Sequence, residues 1–188
     1  MKYDAGQVYP PSEDTWLLLA AAEKDVCFSD AVCEIGCGSG AVSAGIMHKC
    51  ARLAAVDINP HAVVCAREKG VDARLGDMFS PFAVSDVFDL ILFNAPYLPT
   101  APEERVDDWL EYALDGGADG REPLRRFLPQ AVLHLAPKGR ILLLISSLTG
   151  VEEVVSLANA YGLWAVVFAE EMQEDGERLV VLKMGRRG

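Results

Sequence analysis

The chain predicts an α/β fold built on a mostly parallel, seven-stranded sheet. Three observations lead there. Short apolar segments alternate with helical ones from residue 31 onward, which implies parallel strands with helices on both faces. The run Val87–Phe93 reads as an apolar strand in the centre of the sheet. The last two strand segments have only the turn Glu174-Asp175-Gly176-Glu177 between them, so one strand near the C-terminus must run antiparallel to its neighbour. At 188 residues and 51% apolar content, the chain is read as one domain, 1–188.

The elements follow in order. Pro10-Pro11 and then Ser12-Glu13-Asp14 mark a helix start with Ser12 as cap, and Thr15–Ala22 continues that helix. Ala31–Ile35 is a strand, and Ala41–Cys50 a helix after a run of glycines. Leu53–Asp57 is a strand, Pro60–Lys69 a helix with proline in its first turn, and Val71–Leu75 a short strand. After Val87–Phe93 comes a polar, glycine-rich loop, Pro99–Glu122. Leu124–Leu135 is a helix stopped by Pro137, Gly139–Ser146 a second central strand, and Val151–Tyr161 a helix. Leu163–Ala169 and Arg178–Lys183 are the last two strands.

Composition narrows the function. There are 28 acidic and 17 basic residues, a net charge of −11. Nucleic-acid binders draw much of their affinity from neutralising phosphates, so this balance disfavours them. Five cysteines without a C-x-x-C pair point to buried thiols in a reducing compartment. His48, His61 and His134 show no metal-ligand spacing, and no metal is expected. The N-terminus is polar and no apolar run approaches a membrane span, which makes the cytoplasm the expected location.

The chemistry concentrates in two segments. Glu34-Ile35-Gly36-Cys37-Gly38-Ser39-Gly40 lies at a strand-to-helix turn. There glycines let backbone approach a ligand closely, at the carboxyl end of the sheet. Asp57 ends the second strand, where a carboxylate bonds ribose hydroxyls. The loop alone suits either NAD or S-adenosylmethionine, since Gly36-x-Gly38-x-x-Ala41 also fits a dinucleotide fingerprint. Glu34 at the strand end suits the cationic methionine end of S-adenosylmethionine, and Asp77 after the third strand suits the adenine amino group. Downstream stands Asn94-Ala95-Pro96-Tyr97. An amide nitrogen is a poor nucleophile because its lone pair is delocalised. The Asn94 side-chain oxygen and the Ala95 carbonyl can accept its two N–H bonds, aim it and enrich it in electrons. The Tyr97 ring can cover the planar group.

These residues together resemble the class I S-adenosylmethionine-dependent methyltransferases of amino groups, with their Rossmann-like sheet. Within them the chain is similar to the HemK-like release-factor glutamine methyltransferases, in the short archaeal and eukaryotic branch. Val8-Tyr9-Pro10-Pro11-Ser12-Glu13-Asp14-Thr15 is similar to that branch's Val-Tyr-x-Pro-x-Glu-Asp-Thr, and Trp109 with Ala113–Arg121 to its later glycine-rich segment.

The resemblance implies transfer of a methyl group to the glutamine of a Gly-Gly-Gln loop in a translation termination factor. It implies S-adenosylmethionine held by Thr15, Glu34, Gly36, Gly38, Gly40, Asp57, Asp77, Met78 and Asn94, with the substrate amide at Asn94, Ala95, Pro96 and Tyr97. It implies that residues 1–30 pack on the cofactor site, and that a small zinc-binding activator protein adds a strand at the sheet edge near Val71–Leu75. Ala95 departs from the family's usual proline at that position. Two other readings use similar parts: an amino-methyltransferase of DNA or RNA, and a non-catalytic module that only binds the cofactor. A nicotinamide oxidoreductase lacks a visible hydride-transfer acid.

Overall fold

A computed structural model describes residues 3–100 and 108–188. Its sheet has seven strands in the order β3-β2-β1-β4-β5-β7-β6. These are β1 (Ala31–Ile35), β2 (Arg52–Asp57), β3 (Ala73–Leu75), β4 (Phe88–Asn94), β5 (Leu135–Ser146), β6 (Leu163–Met172) and β7 (Arg178–Arg186). β3, β2, β1, β4 and β5 run parallel, and β7 is antiparallel to both β5 and β6. The antiparallel strand expected near the C-terminus is therefore β7. Strand order reverses between β1 and β4. The glycine loop leaves the first of these and the Asn94 segment the second, so both open into the crevice where such sheets bind ligands.

Helices cover both faces: α1 (Glu13–Asp25), α2 (Ala41–Ile46), α3 (Pro60–Glu68), α4 (Trp109–Tyr112), α5 (Glu122–His134) and α6 (Val151–Ala160). One core lies between the sheet and α5–α6, around Ile91, Phe93, Phe127 and Leu143. The other lies between the sheet and α1–α2, around Leu18, Ile46, Leu92 and Leu142. Successive β4 residues alternate between the two, as the two-residue pleat of a strand covered on both faces requires.

Several boundaries differ from expectation. The helix expected to Cys50 ends as α-helix at Ile46 and closes with a 3-10 turn, Met47–Lys49. The strand at Val71 narrows to Ala73–Leu75. α5 starts at Glu122, tolerates Pro129, and stops at His134 because Pro137 disfavours helical backbone before it. β5 then begins at Leu135 rather than Gly139, through a register shift opposite Phe88–Leu90. β6 and β7 run three residues past their expected ends. The loop 99–122 contains α4, and its residues 101–107 lie outside the described residues. β4 is not wholly apolar either. Asp89 sits within it, and its carboxylate accepts the Ala31 N–H at 2.9 Å.

Away from the glycine loop, a buried ion cluster fastens the end of α1. Arg140 Nε on β5 donates to Asp25 Oδ2 at 2.5 Å, and its Nη2 to Asp30 Oδ2 at 2.7 Å. Lys183 on β7 closes on the other Asp25 oxygen. Among the described residues no helix is long and apolar enough to cross a membrane. All five cysteines are free thiols, and Cys33, Cys37 and Cys65 are buried.

Candidate active site

A cavity of about 330 Å³ opens at the carboxyl ends of the parallel strands. Its wall brings together Gly36, Gly38, Asp57, Asp77, Met78, Asn94, Ala95, Pro96 and Tyr97. Nine of the residues singled out in the sequence thus meet on one surface, although they span 62 positions of chain.

The glycine loop wraps under the cavity. Gly36 has φ of +65°, and a β-carbon there would make ordinary contact with the Phe93 ring at 3.5 Å. The positive φ alone would strain a side chain at this position. Asp57 fastens the loop: its Oδ2 accepts the Gly38 N–H at 2.7 Å and its Oδ1 the Asn59 N–H at 2.8 Å. Burial raises the Asp57 pKa and outweighs those backbone donors. Met78 is the one described non-glycine residue with positive φ, at 50°, and it is buried in the cavity wall. Such local strain gathers at ligand sites. Asp77 pairs with Arg126 on the second turn of α5, which also reaches the wall.

Asn94 is the centre of the other half. Its Nδ2 donates to Asp14 Oδ2 at 2.9 Å. Its Oδ1 is buried and has no hydrogen-bond partner among the described residues. An unpaired buried acceptor of this kind costs about 1–3 kcal/mol unless a ligand satisfies it. Asp14 is itself fixed from behind, its Oδ1 accepting the Thr15 N–H at 2.6 Å and the Thr15 hydroxyl at 3.1 Å. The amide of Asn94 is thus held with its oxygen free and its nitrogen engaged. Tyr97 and Tyr9 flank this corner. Burial is the main cause that pushes the Tyr9 hydroxyl up to about 12 and Tyr97 higher still, with the Asp14 charge adding to both. Both phenols are therefore neutral and can donate hydrogen bonds at physiological pH.

Three expected ligand residues lie behind the wall rather than on it. Glu34 is buried and accepts the Ser43 N–H at 3.0 Å and the Ser43 hydroxyl. Burial raises its pKa to about 8, against the lowering effect of the Ser43 hydrogen bonds. Thr15 spends its hydroxyl on Asp14 and on the Ser12 N–H, 3.3 Å away, at the start of α1. Gly40 is the cap of α2, and a β-carbon there would fall 2.7 Å from the Ala66 β-carbon, so it serves the approach of α2 to α3.

Other wall residues are not among the ligand and substrate residues expected from the sequence. Asp14 and Tyr9 stand inside the quoted N-terminal motif, where an acid next to the Thr was the available signal. Asn59 follows Asp57 by two residues, and its Nδ2 ties down the Gln7 carbonyl at 2.6 Å. Trp109 and Tyr112 face each other at 5.7 Å between ring centroids across one turn of α4. Arg126 carries no signal in the sequence, because its role arises only from the packing of α5 beside Asp77.

Residues 33–103 match a family model described as a methyltransferase domain. The chain is 39% identical to a protein assigned as an N5-glutamine methyltransferase in Methanocaldococcus jannaschii, over 96% of this chain and 92% of that one. It is 33% identical to methyltransferase HEMK2 of Homo sapiens, over 94% and 88%. A bacterial release factor glutamine methyltransferase, from Moorella thermoacetica, is 36% identical across 82% of this chain but only 59% of its own length. Among solved structures, the Mtq2–Trm112 complex of E. cuniculi, described as responsible for methylating the termination factor eRF1, has the same fold. Its TM-score is 0.79 at 23% identity, covering 96% of this chain and 99% of that one.

Proposed function

Since this chain belongs to the family of HemK-like protein glutamine methyltransferases, we propose that it methylates the side-chain nitrogen of the glutamine in the Gly-Gly-Gln loop of a translation termination factor. The observation that carries this reading is the free, buried Oδ1 of Asn94, held in place through Nδ2 by Asp14.

The wall fits S-adenosylmethionine. Asp57 stands where ribose hydroxyls would bond, Asp77 where the adenine amino group would, and the Gly36–Gly38 backbone leaves room for the ligand between them. When bound there, the cofactor supplies an electrophilic methyl group on a sulfonium. Everything else falls to the chain. Asn94 Oδ1 and the Ala95 carbonyl accept the two N–H bonds of the substrate amide and fix its plane. That draws electron density to the nitrogen, which would favour its bond to the methyl carbon as the methyl–sulfur bond breaks. The ring of Tyr97 excludes water from one face. The nitrogen would give up one proton to water, and the product amide would keep one N–H for one of the two acceptors. Glu34, Thr15 and Gly40 contribute by shaping this wall: Glu34 through Ser43, Thr15 through Asp14, Gly40 by letting α2 approach α3.

A nucleic-acid substrate is disfavoured by the wall itself. Asp14, Asp57, Asp77 and Asp115 line it, and its Arg126 is already paired with Asp77. The termination-factor reading places the protein in the cytoplasm. It also gives a use to the β3 edge, a three-residue strand that among the described residues pairs only with β2 and whose Leu75 is exposed. A small activator protein, zinc-binding in the family this chain resembles, adds a strand there.

The test is transfer of labelled methyl from S-adenosylmethionine to purified termination factor, beside a variant with Asn for the loop glutamine, tRNA and DNA, with and without the activator. Label on the factor that vanishes in the variant is the expected result. Label on tRNA or DNA alone would overturn the assignment. Full activity of the chain by itself would remove the need for the activator.

A further inference from the structure

The two edges of the sheet differ sharply. β3 has three residues, whereas β6 has ten and among the described residues pairs only with β7. Along β6 the side chains of Trp164, Val166, Val167, Phe168 and Met172 are exposed. Scattered surface apolar residues are ordinary, but a contiguous series along an open strand is a template for further pairing. The usual protections are weak here. β6 contains no proline, its bulge at Val167–Ala169 is single, and its charges Glu170 and Glu171 sit at one end. The nearby Lys183 lies under the Phe168 ring, 5.1 Å from its centroid, instead of guarding the edge.

The charge of the β6–β7 hairpin identifies the occupant. Glu171, Glu174 and Asp175 are exposed at its turn end, beside Glu170, which is paired with Arg178, and Arg186 and Arg187 are exposed at the opposite end, where they donate to the Val132 carbonyl and the Asn159 side chain. We infer that β6 pairs antiparallel with β6 of a second copy about a two-fold axis near Val167. This arrangement lays the acidic end of each hairpin over the basic end of its mate and joins two seven-stranded sheets into one. A parallel pairing would set like charges together. The axis lies three strand positions from β4, so both cavities and both β3 edges stay open. The inference is independent of the substrate.

Sedimentation velocity of the full chain over roughly 1–100 µM tests it, because self-association follows mass action. The expected result is a concentration-dependent species of twice the 20.4 kDa chain mass. Val167→Lys places two like charges across the axis and should weaken the dimer about 100-fold or more. Val166→Lys provides a second variant, and both positions are about half exposed, so the monomer fold should persist by circular dichroism. Leu75→Lys, at the other edge, should leave the dimer intact. Amide exchange in β6 should slow at high concentration in the wild type and not in Val167→Lys. A single-chain mass throughout the range, or dimers of both lysine variants as tight as wild type, would overturn the inference.

Discussion

Replacing Asp14 by Asn changes one atom of the side chain and reverses what it presents to Asn94. The present carboxylate accepts twice from Thr15 on Oδ1 and once from Asn94 Nδ2 on Oδ2, at 2.9 Å. An amide at position 14 keeps its oxygen toward the two Thr15 donors, which leaves its NH2 facing residue 94. Asn94 then gains a bond only by rotating half a turn, which aims its own NH2 into the cavity. A donor would meet the substrate amide where an acceptor is required. Loss of one preorganised partner at a reacting group costs about 10²–10³ in kcat, near 3–4 kcal/mol. Asp14→Asn should show that loss in kcat with cofactor affinity within a few fold of wild type. Asp14→Ala removes the enforced orientation without imposing the wrong one, so its defect should be smaller. Steady-state kinetics on the termination factor, with calorimetry of cofactor binding, decides the order. An Asp14→Asn enzyme as fast as wild type, or faster than Asp14→Ala, would refute the orientation argument.

Other outcomes follow from the same geometry. Asn94→Ala should cut turnover by about 100-fold or more while cofactor binding persists, and substantial activity in the purified variant would count against the assigned role. Asp57→Ala strands the Gly38 and Asn59 N–H groups, each charge-assisted bond being worth roughly 1.5–3 kcal/mol. It should therefore lower both the melting temperature and cofactor affinity, and a variant unchanged in melting would show that the loop does not depend on it. Ala95→Pro loses a long bond from the Ala95 N–H to the Leu144 carbonyl, 3.4 Å, and gains about 0.4–1 kcal/mol from a stiffer unfolded chain. Stability should shift by less than about 1 kcal/mol in urea melts with activity kept, and loss of methylation in a folded variant would mean that this site departs from the family's proline geometry. Glu34 keeps its proton in the folded state up to a pH of about 8 but loses it near 4.5 when unfolded. Its contribution to stability is complete below 4.5 and is lost as pH rises through 8, by up to about 1.4 kcal/mol per unit. Unfolding profiles of wild type and Glu34→Gln should diverge across that window, and parallel profiles would contradict the burial effect.

The sheet was legible because its signals are local. Apolar runs, the glycine turn and the Gly176 turn each determine backbone within a few residues. The boundaries that moved depend on partners instead. β5 extends back to Leu135 because β4 lies beside it, and β6 and β7 lengthen because each completes the other. In the site, the nine residues that meet at the cavity lie at strand ends, where sequence position and spatial position coincide. For Glu34 the sequence leaves the direction open, because an acid at a strand end can face either the ligand or the next helix, and here its carboxylate accepts from Ser43. Asp14 was overlooked because its partner is 80 residues away, and a bond of that span leaves no spacing in the sequence to read.

The ion cluster at Asp25 has a consequence for the far end of its helix. Asp14 and Asp25 stand 11 residues apart on α1. That is about three turns, so the two carboxylates project from nearly the same side of the rod, about 16 Å apart along it. A helix transmits rotation and sliding from end to end without much bending. Arg140 and Lys183 therefore set the axial and angular setting of the rod against β5 and β7, and Asp14 inherits that setting at the mouth of the cavity. The tolerance on the Asn94 amide is fixed on the far side of the domain, by groups the substrate never meets.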